Sequence, residues 1–198
     1  PGIGQCCGGY VQVKLSLHSN SKDALKDEYI DNNVKPNLYI FGSGHIGQAL
    51  ISKLENINFN TFIIDSREDY LKMTNIKDIN YLLSKKPWEI VSKLEDNSYF
   101  IVLTHSHDYD LKILNEILKK NNTFVGLIGS LTKKKRFHKR LIDNGHNKSI
   151  VEKIECPIGI DIGNSKDPNE IAFSIITRII SIKNSLKHLS NNKIKEVI

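Results

Sequence analysis

Leu38-Tyr39-Ile40-Phe41-Gly42-Ser43-Gly44-His45-Ile46-Gly47 decides how this chain is read. Four apolar residues run directly into glycines spaced G-x-G-x-x-G, and Ile46, Ala49, Leu50 and Leu54 then recur on one helical face. The pattern predicts a buried parallel strand, a tight turn and a helix N-terminus. Gly42 permits the turn, Gly44 lets backbone approach a phosphate, and Gly47 lets helix and strand pack closely. The helix start offers unpaired N–H donors and a positive dipole end to an anion, with Ser43 and His45 beside it.

A second strand, Thr61-Phe62-Ile63-Ile64, ends at Asp65. That is the distance expected of an acidic residue reaching a ribose hydroxyl. Asp65 favours a bare 2′-hydroxyl, hence NAD over NADP, whereas Arg67 could meet a 2′-phosphate.

Strand and helix patterns alternate from there on. A weak strand is expected over 79–83, and a short helix entered at Pro87 with Trp88, Val91 and Leu94. Residues 99–104 read as a strong buried strand. Asp110 is placed to cap a helix carrying Leu111, Leu114, Ile117 and Leu118. A strand over 124–128 precedes a basic helix from Thr132 to about Asn144, closed by Gly145. Pro168 leads into a last helix with Ile171, Ile175, Ile179 and Ile182 on one side. The fold class is therefore α/β, a Rossmann-like doubly wound parallel sheet whose ligands bind beyond the carboxyl ends of the strands.

Two more loops at that rim carry chemistry. Thr104-His105-Ser106-His107-Asp108-Tyr109-Asp110 places two histidines at i and i+2 among carboxylates. Metal binding, hydrogen bonding to a ligand, and helix capping all remain open for it. Gly129-Ser130-Leu131-Thr132-Lys133-Lys134-Lys135-Arg136 is a second glycine-to-helix junction. Ser130 or Thr132 can cap there. Cations at a helix start oppose its dipole at about 0.3–1 kcal/mol each, a cost that a bound anion would offset. A solvated basic face is the other reading of the same residues. Cys156 reads as a small buried hydrophobe.

The amino-terminal stretch is of another kind. Residues 1–9, Pro-Gly-Ile-Gly-Gln-Cys-Cys-Gly-Gly, are a glycine-rich loop around adjacent thiols. Cys6 and Cys7 could be a buried pair, or a soft thiolate site for a metal or a sulfur-bearing cofactor. Val11, Val13, Leu15 and Leu17 alternate with polar residues as in a half-buried strand. Residues 1–18 thus read as the C-terminal remnant of a smaller β-containing domain, 19–36 as a linker, 37–186 as the Rossmann-like domain and 187–198 as a polar tail. A chain opening on Pro1-Gly2 is expected to start inside a longer protein.

Composition excludes several classes. The 198 residues are 39% hydrophobic and 25% charged, with 28 Lys and Arg against 22 Asp and Glu. The lysines are scattered, so the +6 charge does not by itself make a nucleic-acid site. No apolar run is long enough to span a membrane, and three cysteines make no disulfide framework. A cytoplasmic location is expected.

Taken together, these motifs resemble the xanthine dehydrogenase accessory family, the XdhC/CoxI proteins. The likeness rests on Gly-Gln-Cys-Cys-Gly-Gly at 4–9, Phe-Gly-Ser-Gly-His-Ile-Gly at 41–47, Asp-Ser-Arg-Glu at 65–68 and Thr-His-Ser-His at 104–107 with Asp110. Gly-Leu-Ile-Gly-Ser at 126–130 with Lys133, Arg136 and Phe137, Cys-Pro-Ile-Gly at 156–159 and Pro-Asn-Glu-Ile-Ala at 168–172 extend it over nearly the whole chain. The resemblance implies a chaperone for the molybdenum cofactor (molybdopterin). Such a chaperone holds the cofactor while a cysteine desulfurase adds the terminal sulfur, and then delivers it to an apo molybdenum hydroxylase. On that likeness Cys6 and Cys7 lie near the molybdenum or its sulfur. Gly42, Ser43, Gly44, His45, Gly47, Asp65, Arg67, His105, His107, Ser130 and Lys133 are then the candidate cofactor-binding residues. A homodimer is one assembly open to it. A nicotinamide-dependent oxidoreductase and a nucleotide-binding regulator are the alternatives, with NAD(P) in the same turn.

Overall fold

A computed structural model describes residues 17, 19–20, 35–73 and 75–195, with side chains as far as 186. The fold below lies within the unit Lys35–Ile198. Cys6, Cys7 and the strand expected from Val11 lie outside the described residues.

Five strands alternate with helices. β1 (Asn37–Phe41), α1 (His45–Leu54), β2 (Asn60–Asp65), α2 (Glu68–Lys72) and β3 (Ile79–Leu83) come first. β4 (Ser98–Val102), α3 (His107–Ile117), β5 (Asn122–Leu127), α4 (Leu131–Asp143), α5 (Lys148–Val151) and α6 (Pro168–Lys195) follow. All pairings are parallel and the sheet order is β3-β2-β1-β4-β5. The chain winds outward from β1 to β3, crosses back, and resumes at β4 on the other side of β1. The switch point therefore lies between β1 and β4, where Phe41 is level with both Ile64 and Val102.

Both sheet faces are covered, which is why the central strands β1 and β4 are buried at nearly every position instead of alternating. Leu38, Ile40, Ile63 and Ile101 face a layer containing Leu50, Leu54, Ile175 and Ile179 of α1 and α6. Tyr39, Phe41, Phe100 and Val102 face Leu111, Leu114, Phe137 and Leu141 of α3 and α4. Each fully buried Leu, Ile or Phe contributes about 1.5–3 kcal/mol, so these two layers carry the fold.

Three segments differ from expectation. Residues 87–90 form turns leading to a 3₁₀ helix at Val91–Lys93, not an α-helix. The apolar spacing Trp88, Val91, Leu94 has a period of three, which is the 3₁₀ repeat. The helix after β4 starts at His107 and is capped by Ser106, whose hydroxyl accepts from the Tyr109 amide at 3.4 Å. Asp110 sits inside that helix and points back into the loop. The basic helix begins at Leu131, one residue early, with Ser130 as its cap. The last helix is continuous to Lys195.

Beyond β5 the chain adds a stub to the sheet. The Glu155 amide donates to Val125 at 3.0 Å, the Leu127 amide donates to Glu155 at 2.9 Å, and the Ile158 amide donates to Leu127 at 3.1 Å.

Candidate functional site

The turn between β1 and α1 gives each glycine a separate physical reason. Gly42 has φ +117°, and a Cβ there would run into the Leu103 carbonyl. Gly47 lies against the Gly42 carbonyl oxygen, which leaves no room for a side chain. Gly44 is different. Its backbone is extended, with φ −72° and ψ −171°, an angle that any residue adopts. Nothing lies within 4 Å of where its Cβ would be. Neither backbone angle nor packing within the described chain demands glycine at 44; what its lack of a side chain leaves is open space.

That space stands over the start of α1. The described helices of eight or more residues otherwise open on a side-chain cap: Ser106 for α3, Ser130 for α4 and Asp167 for α6. α1 has none, and no acidic residue lies in its first turn. Its opening amides and positive dipole end are left to whatever approaches over Gly44. Gly44 and the exposed His45 border a hollow of about 500 Å³ that is also lined by Gln48, Tyr70, Met73 and Pro168. Gln48 fixes the wall. Its amide nitrogen donates to the Ser43 hydroxyl and the Tyr70 carbonyl, each at 2.6 Å, while the Ser43 hydroxyl donates to the same carbonyl at 2.9 Å. Ser43 is fully buried, so its side chain belongs to this brace and not to the hollow.

At the end of β2, Asp65 is buried and already engaged. One oxygen accepts from the Ser43 amide at 2.7 Å and from Arg67 Nη2 at 2.9 Å. The other accepts from the Arg67 amide at 2.9 Å and from Arg67 Nε at 3.0 Å. Burial alone would raise this carboxyl's pKa, but the Arg67 side chain and the two amides outweigh it and hold the pKa below the usual range. The Arg67 guanidinium also lies 3.7 Å from the centre of the Tyr70 ring.

The two loops across the switch point are joined by a buried ion pair. Lys133 Nζ reaches Asp110 at 2.7 Å and donates to the Ile128 carbonyl at 2.9 Å. The other Asp110 oxygen accepts from the Thr104 amide at 3.0 Å and the Thr104 hydroxyl at 2.7 Å. Lys133 therefore crosses under Gly129 (φ +154°) and ties the β5–α4 loop to the β4–α3 loop. Its ammonium faces inward, so the expected solvated or phosphate-facing charge at this position is absent. His105 lies edge-on to Tyr109, and Arg136 bonds His107 Nδ1 at 3.0 Å. The two rings thus serve different neighbours. Among the described residues no group of three or more His, Cys, Asp or Glu side chains is placed to hold a metal ion. Cys156 is buried, its pKa raised by that burial.

Sequence reasoning missed Gln48 and Tyr70, and it quoted Thr104 in its loop without the bonds to Asp110 that the fold gives it. Arg67 and Tyr70 are three residues apart, and a pairing at that spacing could have been anticipated.

The profile of the XdhC Rossmann domain matches residues 38–179. The chain belongs to this family. An uncharacterized protein of Escherichia coli, YqeB, is 23% identical over 184 residues, covering 92% of this chain and 31% of its own length. A probable xanthine dehydrogenase subunit of Bacillus subtilis is 27% identical over 171 residues, covering 85% of this chain and 49% of its own. A crystal structure described as a xanthine dehydrogenase from Bacillus halodurans superposes with a TM-score of 0.67 at 24% identity, over 85% of this chain and 52% of that one. This XdhC-family chain therefore spans between about a third and a half of these relatives. The superposition supports the fold. No helix among the described residues is long and apolar enough to cross a membrane.

Proposed function

We propose that this chain is the ligand-holding Rossmann part of an accessory protein for a xanthine dehydrogenase-type molybdenum hydroxylase. The glycine turn binds the phosphate end of the molybdenum cofactor. The observation that carries the reading is Gly44: open space above an uncapped helix start, continuous with a hollow of about 500 Å³. A phosphate suits those amides and a flat ring system suits such a hollow, so the residues present fit the group. Family membership and the name of the Bacillus subtilis relative support the xanthine dehydrogenase connection.

In this reading the opening amides of α1 grip the anion, His45 and Tyr70 border the bound ring, and Gln48 keeps the turn in shape. Lys133 and Asp110 hold the opposite loops in place without touching the ligand. His105 and His107 stand at the rim, and Cys6 and Cys7 are the soft thiolates offered to the molybdenum or its sulfur. The bound cofactor carries the molybdenum chemistry that the hydroxylase later uses. The protein's own part is to hold it during sulfuration by a cysteine desulfurase and to release it.

The test is metal and pterin analysis of the protein purified from a molybdenum-replete host. Molybdenum and an oxidisable fluorescent pterin should co-purify, and Cys6→Ala with Cys7→Ala should lower the molybdenum content while leaving thermal unfolding unchanged. Protein that carries neither group from such a host defeats the proposal.

A further inference from the structure

In a dinucleotide-binding Rossmann domain the acid at the end of the second strand accepts hydrogen bonds from ribose hydroxyls. Asp65 holds that position here, yet its acceptor capacity is taken by the chain itself. A carboxylate offers about four lone-pair directions, and four donors occupy them: the amides of Ser43 and Arg67, and Nε and Nη2 of Arg67. Two of these donors are backbone groups fixed by the fold. The other two are a guanidinium edge in charge-assisted pairing, whose face is packed on Tyr70.

We propose that Arg67, backed by Tyr70, is a specificity-determining latch that closes the ribose position at Asp65. It excludes adenine dinucleotides from a turn that otherwise accepts phosphate. The inference rests on the reading of that turn as a phosphate site. A ribose could reach Asp65 only by expelling the guanidinium. That exchanges charge-assisted bonds and a stacked contact for hydroxyl bonds, an unfavourable trade. A 2′-phosphate gains little here either. Arg67 is already neutralised by Asp65, and the incoming phosphate would face that buried carboxylate. The ligand admitted is one whose phosphate sits at the α1 amides and whose body lies along the Gly44, His45 and Tyr70 side, with no ribose at the β2 end.

The experiment titrates the full chain, and its Arg67→Ala variant, with NAD⁺, NADP⁺ and pyrophosphate by calorimetry. The wild type should bind pyrophosphate and neither dinucleotide. Arg67→Ala should leave pyrophosphate binding unchanged and gain NAD⁺ binding of at least about tenfold, the worth of one recovered hydroxyl–carboxylate bond. Adding Gly44→Val should erase the gain, which places it at the turn. Arg67→Gln, which keeps a planar group over Tyr70 but no charge, is the second variant should the alanine protein fail to fold, and the same gain is expected of it.

NAD⁺ binding by the wild type equal to that of the variants overturns the latch. So does NADP⁺ binding that Arg67→Ala abolishes, because Arg67 would then be a ligand. Variants that bind pyrophosphate but gain no NAD⁺ overturn the latch and leave the phosphate reading standing. A wild type that binds pyrophosphate no better than Gly44→Val removes the phosphate reading, and the latch with it.

Discussion

Replacing Gly44 separates binding from folding in a way that few positions allow. Its angle is open to any residue and no atom lies within 4 Å of the missing Cβ, so Gly44→Val meets nothing inside the described fold. Two small terms remain. Valine is a poorer N-cap than glycine, at a cost of up to about 1 kcal/mol. Stiffening the unfolded chain returns about 0.4–1 kcal/mol. They nearly cancel, and for a domain of this size the melting temperature should stay within about 2–4 °C. Binding behaves otherwise. The side chain fills the phosphate's place and denies it at least two amide bonds, each worth about 1.5–3 kcal/mol to a charged group. Pyrophosphate affinity should therefore fall by a factor of about 100 or more. Gly47→Ala is the counterpart. Its Cβ meets the Gly42 carbonyl, backbone that cannot yield without distorting the turn, so about 2 kcal/mol of stability should be lost despite better helix propensity. Calorimetric titration and thermal unfolding of both variants decide the matter. A folded Gly44→Val that binds pyrophosphate within about twofold of wild type refutes the phosphate cradle. Equal destabilisation by the two substitutions refutes the claim that the space over Gly44 is empty.

Two further outcomes follow from buried charge. Lys133→Met leaves the fully buried Asp110 without its cation and should cost about 3–5 kcal/mol in urea unfolding, part of which Asp110→Asn in the same background restores. Asp65 has a folded pKa below that of an unfolded carboxyl, about 3.9. Its stabilisation is therefore complete above that value and is lost as pH falls through the folded pKa, so Asp65→Asn should flatten the acid side of the stability profile relative to wild type.

The sheet and its first turn are legible because local chemistry dictates them. An apolar run into G-x-G-x-x-G, and central strands without polar alternation, leave few other folds. Long-range pairing is what sequence does not supply. Asp110 looks like a helix cap because it precedes Leu111, and only the fold brings Lys133, 23 residues away, against it. Lysines 133–135 look alike in sequence, yet one is a buried tether. The distance of Asp65 from the glycines marks it, whereas its engagement by Arg67 depends on a rotamer that spacing does not encode. The 3₁₀ segment escapes sequence reading because a three-residue apolar repeat also fits one face of a short α-helix.

The stub at Glu155 has a consequence for solubility. A parallel sheet normally presents two borders whose free amides and carbonyls invite foreign strands. Here the border along β5 is spoken for by the chain's own return, and Glu155 is further moored to Arg178 of α6 at 2.8 Å. Among the described strands that leaves β3 as the open margin. Loosening the Glu155–Arg178 mooring would expose a second one and turn a self-contained sheet into a template for stacking.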